Sequence, residues 1–519
     1  MRLRKGTRRF ATTASVVALL ATASLTTAFG SEKRAATALT AAPLTTWQTD
    51  GTVWSLAYAH GVVYAGGDFD RVRPPGAGPG EREVARKNFA AFDAVTGELL
   101  PCTHSFTNGP ADSVRALKTS PDGRVLYVGG SFGKADGVGV ANAVALNTAD
   151  CSLRGQFRPG VSGTVRAIDT TADAVYLGGD FESVAGRTRR HVASLRPDGS
   201  LLPFTADADK PVRALLAAPD HGKVLLGGDF HEVNGKDEGG LVAVHPSTGA
   251  TVTSYPQWLP RKSSVHALTR DDTTFYLGAD GNGTGIFDGR IAGRLSGSDM
   301  VWKDSCWGAT QAVVVHQGVL YSGTHAHDCA MTPGGFPEFN HRQHFLAQSA
   351  GDRHILYWFP DTDDGIGEGA GPRALVMAGG ILWAGGEFTA VNGGPQQGLT
   401  RFGAGPRDSA PEGTPRLSAA STRAGRVTLT WRAAWDRDDA ELTYLINRDG
   451  KPLTAPKKRS AAWDRPDMTY TDSVTPGSRH QYTIAVTDGR NTTRRSDPLS
   501  VTAATGTRRQ LSDSPTTGA

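Results

Sequence analysis

Val175-Tyr176-Leu177-Gly178-Gly179-Asp180-Phe181-Glu182-Ser183-Val184-Ala185-Gly186 is an apolar run that ends in a glycine pair and an acid, followed by a short second run closed by glycine. Versions of it recur seven times between Val53 and Phe402. The pairs or their relics are Gly66-Gly67, Gly129-Gly130, Gly178-Gly179, Gly227-Gly228, Gly278-Ala279, Gly323-Thr324 and Gly385-Gly386, and successive first glycines lie 63, 49, 49, 51, 45 and 62 residues apart. β-Branched and aromatic residues before the pair suit a pleated, packed strand. Two missing side chains permit unusual backbone angles or the close approach of a neighbouring strand. The period is that of a four-stranded propeller blade and is too long for one leucine-rich or ankyrin unit. Such a repeat declares an architecture and says less about an activity, because a propeller hosts binding and catalysis alike.

Each of the seven units resolves into further strands. A first strand precedes every pair: Val53-Trp54-Ser55-Leu56, Val114-Arg115-Ala116-Leu117, Val165-Arg166-Ala167-Ile168, Val212-Arg213-Ala214-Leu215, Val265-His266-Ala267-Leu268, Thr310-Gln311-Ala312-Val313 and Pro372-Arg373-Ala374-Leu375. Turns such as Pro121-Asp122-Gly123 lead into the second strand. A third strand follows, as in Asn88-Phe89-Ala90-Ala91-Phe92 and His191-Val192-Ala193-Ser194-Leu195. A fourth is expected to carry one aromatic: Phe106, Phe157, Phe204, Trp258, Trp302 or Phe359. The seventh unit runs out at Phe402, whereas Leu44-Thr45-Thr46-Trp47 precedes the first unit as the others precede theirs. This N-terminal strand is expected to complete the last blade, closing the ring and removing two exposed sheet edges. The expected fold is all-β, a seven-bladed β-propeller over residues 44–403 after an N-terminal linker at 31–43.

After Gly403 the composition shifts to Gly, Pro and Ser, a linker signature over residues 404–410. From Pro411 to Ala504 the chain resembles a fibronectin type III domain: Trp431, Tyr444, Tyr470-Thr471-Asp472, Pro476-Gly477 and Tyr482 stand in an order that suits a seven-stranded sandwich. The polar tail at 505–519 is expected to be disordered. Phe181-Glu182-Ser183-Val184-Ala185-Gly186, Phe230-His231-Glu232-Val233-Asn234-Gly235 and Phe388-Thr389-Ala390-Val391-Asn392-Gly393 resemble the delta-60 type of bacterial β-propeller repeat. That resemblance implies the fold over residues 44–403. It transfers no catalytic residue, because the family has no agreed chemistry.

The first thirty residues carry Arg2, Arg4, Lys5, Arg8 and Arg9 with no acid, then an apolar stretch near Val16 to Leu25, then Ala28-Phe29-Gly30. They read as a secretory signal peptide at 1–30, too short in its apolar core to span a bilayer, which predicts an exported, extracellular protein with no membrane insertion. Of 55 basic and 51 acidic residues, 50 and 51 remain beyond those five cations. Residues 31–410 then carry a net charge of −6 and the remainder +5. Neither supports a nucleic-acid footprint, which needs a clustered basic surface. In an exported chain four cysteines predict disulfides. Cys102 and Cys151 hold nearly equivalent points in units one and two and are expected to pair, leaving Cys306 with Cys329. Each loop would stabilise by roughly 3 to 4 kcal/mol on the chain-entropy account.

The arginine of the first strand and the acid after the glycine pair invite pairing: Arg166 with Asp180, Arg213 with Asp229, Arg373 with Glu387. Trp54 with Asp68 and Arg115 with Ser131 break the pattern. Buried Arg and carboxylate usually satisfy one another, and the other reading is a cationic funnel for an acidic ligand.

Unit six departs furthest from the repeat. His325, His327, Asp328 and Cys329 replace its usual motif, and an insertion brings Glu338, His341 and His344 close by. If His325 and His327 lie on one strand, their spacing puts both imidazoles on one face, where they could ligate zinc or another divalent transition metal with a carboxylate. These residues are also the candidates for a catalytic acid or base, against a histidine network that props up the insertion or a glycan-binding surface. A second candidate runs from Asp280 through Asn282 and Thr284 to Asp288, with oxygen ligands and a glycine spaced as in a calcium loop but without the closing bidentate glutamate. Asp361-Thr362-Asp363-Asp364-Gly365 is a poorer example. Phosphate-loop and His-Glu-x-x-His motifs are absent.

The leading expectation is a secreted, monomeric, non-enzymatic binding or scaffold protein that recognises polysaccharide or another extracellular protein through the propeller. The alternative is a polysaccharide-active hydrolase (a glycosidase) or lyase with its site at unit six, which needs only two suitably placed carboxylates.

Overall fold

The computed structural model describes residues 37–506 except 110, 340 and 407. The leader expected at 1–30 and nearly all of the tail expected at 505–519 lie outside the described residues. Strands dominate what is described, and the helical content is one 3-10 turn, Pro219–His221. Among the described residues no helix is long and apolar enough to cross a membrane.

Each sequence unit forms one antiparallel sheet. In unit three Val165–Thr170, Val175–Gly179 and Val192–Leu195 pair in chain order, and units four and five extend to four full strands with Thr251–Ser254 and Met300–Asp304. Elsewhere the outer strand shrinks to a single bridge, such as Phe92↔Leu99, Leu146↔Leu153 or Leu195↔Leu201. The aromatics expected in the fourth strand therefore lie beyond it, except Trp302. Phe106 instead pairs with Ala135 of the next unit, and its ring lies 4.8 Å from that of Phe132, tilted by 53°. The reason is packing: the outermost strand has few neighbours to hold it, while a ring just past it fills the gap between two sheets.

Those gaps hold the core. Tyr64 and Phe89 meet Val114 and Val128 between units one and two, Tyr176 and Phe204 meet Val212 and Leu226 between three and four, and Val53 and Phe92 meet Trp383 and Leu399 between seven and one. Burying each such side chain contributes about 1.5–3 kcal/mol. Gly178 shows why the motif needs glycine, since a Cβ there would lie within 3.0 Å of Val212 in the next sheet. The same relation joins Gly66 to Val114, Gly129 to Val165, Gly227 to Val265, Gly278 to Thr310, Gly323 to Pro372 and Gly385 to Val53. The contacts thus return to their start. The N-terminal segment joins at that closure, where Thr40 donates to the Gly403 carbonyl (2.9 Å) and Leu44 to that of Arg401 (2.8 Å).

Residues 418–502 fold as a β-sandwich. Ser418–Arg423, Arg426–Arg432 and Asp467–Ser473 make one sheet, and Glu441–Arg448, Lys451–Thr454, Lys457–Arg459, Arg479–Thr487 and Leu499–Thr502 make the other. Trp431, Tyr444 and Tyr482 are buried between them. The sandwich is held against unit six. Phe359 donates to the Arg437 carbonyl (2.7 Å), the Tyr357 hydroxyl donates to that of Ser460 (2.7 Å), and Trp463 lies 4.8 Å from Phe359 and 5.2 Å from Phe336. The segment expected as a linker at 404–410 is tied down as well, because the Ser409 hydroxyl donates to Asp436 (2.5 Å).

Candidate functional site

The first strand of every unit carries a β-bulge at its second motif position. Register shifts fall between Val53 and Ser55, Val114 and Ala116, Val165 and Ala167, Val212 and Ala214, Val265 and Ala267, Thr310 and Ala312, and Pro372 and Ala374. The extra residues are Trp54, Arg115, Arg166, Arg213, His266, Gln311 and Arg373. A bulge twists the strand and re-aims the side chain it carries, and all seven line one central cavity of about 180 Å³, with Asp280 and Glu368. The glycine pair makes room, since a Cβ on Gly179 would overlap the Thr164 carbonyl beside the bulge. Below this layer the channel is walled by Ala116, Ala167, Ala214, Ala267, Ala312 and Ala374 and the apolar side chains that follow them.

The acid after the glycine pair then holds the bulged side chain. Arg166 donates through Nε to Asp180 (2.6 Å), Arg213 through Nε to both oxygens of Asp229 (2.6 and 2.7 Å), and Arg373 through Nη2 to Glu387 (3.0 Å). Unit five makes the same pair in other residues, with His266 Nε2 2.7 Å from Asp280 Oδ1. Burial opposes ionisation of Asp280, and the His266 bond overcomes it to lower the pKa. Arg213 is raised in the same way, against its burial, by Asp229. Arg115 has no such acid. Its Nε donates to the Ser113 hydroxyl (2.9 Å), its guanidinium lies 3.9 Å from the centre of the Trp54 ring, and burial and the charge of Arg166 lower its pKa.

Unit six is built differently from the expectation. Its second strand, Val319–Ala326, ends before His327, and its register breaks between Gly323 and Ala326, so His325 and His327 do not share a strand face. His325 accepts from the Ala309 N–H (3.3 Å), its Nδ1 is buried without a partner among the described residues, and burial drives its pKa down to about 4. His327 is half-exposed, 4.0 Å from Glu338, and Asp328 accepts from the Ala330 N–H (2.9 Å). His341 and His344 converge on Asp361, which sequence reasoning had placed in a loop. His341 Nε2 lies 2.6 Å from it, His344 Nδ1 3.0 Å, and His344 Nε2 lies 3.1 Å from Asp364. With a carboxylate on each ring nitrogen, His344 has no lone pair left for a metal. Its pKa is raised, burial being outweighed by Asp361 and Asp364. His327, Glu338, His341, His344 and Asp364 border an open groove of about 700 Å³.

The calcium-loop residues are dispersed in role. Asp280 faces the central cavity, bound to His266 and to Gln311 (3.1 Å), and Asp288 accepts from the Gly281 N–H (2.7 Å), while Asn282 and Thr284 are exposed. Both disulfides, Cys102–Cys151 and Cys306–Cys329, are formed. Sequence reasoning missed three things: Trp54 and His266 as members of the ring, Asp361 as a hub, and a group of carboxylates from Asp408, Asp438 and Asp439 within 4.8 Å of one another. Superposing His266 and Asp280 on Arg166 and Asp180 would have exposed the second member. The other two join residues from separate loops and had no local signal.

The family described as a domain of unknown function (DUF5122) beta-propeller matches residues 175–201, the second and third strands of unit three and the turn beyond them. The repeat region is a β-propeller. No curated protein matches the chain. Similar solved structures include the WD40 beta propeller domain of Doa1, 11% identical with a TM-score of 0.42, covering 70% of this chain and 96% of that one. A chain of a mitotic checkpoint complex is 12% identical (TM-score 0.41, 71% and 96% covered), and Saccharomyces cerevisiae Sqt1 is 11% identical (0.40, 71% and 100%).

Proposed function

We propose that this protein is an exported, non-catalytic binding protein, a seven-bladed propeller of the delta-60 repeat type carrying a fibronectin type III sandwich, which recognises extracellular polysaccharide or a surface protein. The seven glycine contacts between neighbouring sheets and the N-terminal hydrogen bonds to Arg401 and Gly403 support the blade count and its closure. Two disulfides suit an oxidising compartment. The observation that carries the binding reading is the convergence of seven bulge-borne side chains on one polar cavity. Binding sites are concave, with a few convergent polar groups, and this one is held rigid by its own acids.

A polysaccharide hydrolase or lyase at unit six would draw its acid and base from the same cluster, where Asp361 lies against His341 and His344 and Asp364 against His344. A glycan array probed with the purified protein, run beside an assay for new reducing ends and unsaturated products on every glycan bound, tests the reading. Binding without product is expected. Product release that His341→Ala abolishes would replace it with the enzymatic one.

A further inference from the structure

We infer that the central cavity takes a sugar acid, an aldose-sized ligand with one carboxylate and several hydroxyls, its carboxylate held by Arg115, Arg166 and Arg213. The inference rests on the binding reading above and assigns that site its ligand class.

Its basis is which guanidinium nitrogens are in use. Arg166 and Arg213 meet their acids through Nε, and Arg115 meets Ser113 through Nε. Among the described residues none of the three has a partner at Nη1 or Nη2, and all three line the cavity. An acid that grips a guanidinium at Nε leaves its outer edge pointing onward. Three consecutive blades therefore present one arc of charged donors, and a carboxylate or similar oxyanion is the group that such forks bind. Trp54 sits at the end of the arc, with its indole N–H buried and, among the described residues, without a partner.

The opposite arc is built for something else. Asp280 and Glu368 face the same cavity, and Gln311 bridges Asp280 and Arg373 (3.1 and 3.2 Å). Both Arg373 Nη groups are engaged, Nη1 by Gln311 and Nη2 by Glu368 and Glu387. This side offers acceptors, which suit hydroxyl donors and repel a second anion. A ligand charged all round, such as a polycarboxylate, would meet Asp280 and Glu368. A neutral sugar would meet the Nη donors of three arginines with uncharged hydroxyl oxygens alone, weaker acceptors for a guanidinium than a carboxylate. A molecule with one anionic end and hydroxyls elsewhere matches both arcs, and a cavity of about 180 Å³ is the size of one such residue. The ligand is thus a free sugar acid or the acidic end of a polysaccharide.

Isothermal titration of the full chain with sodium glucuronate, its methyl ester, glucose and sodium sulfate tests this. Glucuronate is expected to bind at least about tenfold more tightly than glucose or the ester, the worth of one charge-assisted hydrogen bond. Arg115→Gln should lose about tenfold for glucuronate and nothing for glucose. Because Arg115 also stacks on Trp54, the pair Arg166→Gln, Asp180→Asn serves as a second variant, with an unchanged melting curve as the check on folding. Glucuronate binding no better than glucose, binding unmoved in both folded variants, or sulfate displacing glucuronate at equal concentration would each overturn the inference. An acidic polysaccharide that binds the protein and displaces glucuronate places the sugar acid at a chain end, whereas glucuronate without such competition makes it a free ligand. A glycan that binds but leaves glucuronate titration silent overturns the inference alone and leaves the binding reading standing.

Discussion

At Gly178 the missing side chain answers to the neighbouring sheet, and at Gly179 to the bulge of its own. A Cβ on Gly178 meets Val212 Cγ1 at 2.8 Å and Val212 Cβ at 3.2 Å. One on Gly179 meets the Thr164 carbonyl, which accepts the Asp180 N–H (2.9 Å) beside the Arg166 bulge. Gly-Gly-Asp is thus one device with three parts: sheet-to-sheet approach, room for the bulge, and an anchor for the side chain that the bulge displays. Gly178→Val is expected to destabilise by about 1–3 kcal/mol through overpacking, read as a lowered urea midpoint with an unchanged slope. An unchanged midpoint would mean that neighbouring sheets approach less closely than described.

Unit six keeps the strands of the repeat and replaces its acid and glycine chemistry with histidines, so its stability should titrate. His325 is held neutral, its pKa lowered to about 4 from 6.5 by burial first and by Arg342 next. A group whose folded pKa is depressed binds fewer protons when folded, so the stability it carries is present above pH 6.5 and is lost as pH falls toward 4. His344 works the other way: its raised pKa adds stability below 6.5 that fades as pH rises through the folded value. Thermal scans of His325→Gln should show a shallower loss of melting temperature between pH 6.5 and 4 than the parent, and those of His344→Gln a shallower loss as pH rises above 6.5. Parallel curves for parent and His325→Gln would show that the ring is not buried neutral.

For the whole molecule the consequential contact is the one between propeller and sandwich. Trp463 of the sandwich reaches Phe336, Phe339 and Phe359 of unit six at centroid distances of 5.2, 5.9 and 4.8 Å, beside the Cys306–Cys329 bridge. Trp463→Ala is expected to cost about 2–3 kcal/mol of docking, below the 3–5 of a fully buried aromatic. Calorimetry should then separate two transitions and small-angle scattering should report a larger radius, whereas a single unshifted transition would assign the cohesion to the Phe359–Arg437 and Tyr357–Ser460 hydrogen bonds. Much of this molecule was legible locally. The glycine period determined the units, and Arg166 with Asp180, Arg213 with Asp229 and Arg373 with Glu387 could be paired on paper because each pair spans one hairpin, 14 or 16 residues apart. The chain by itself therefore determined what repeats and what lies across a hairpin, since short loops leave little choice of partner. Only the tertiary structure decided what ring closure and loop packing bring together: Trp54 against Arg115 and Arg373, His341 and His344 on Asp361, Trp463 among three phenylalanines. Those partners stand up to several hundred residues apart in the chain, and no local spacing encodes a contact that depends on the sum of every intervening turn.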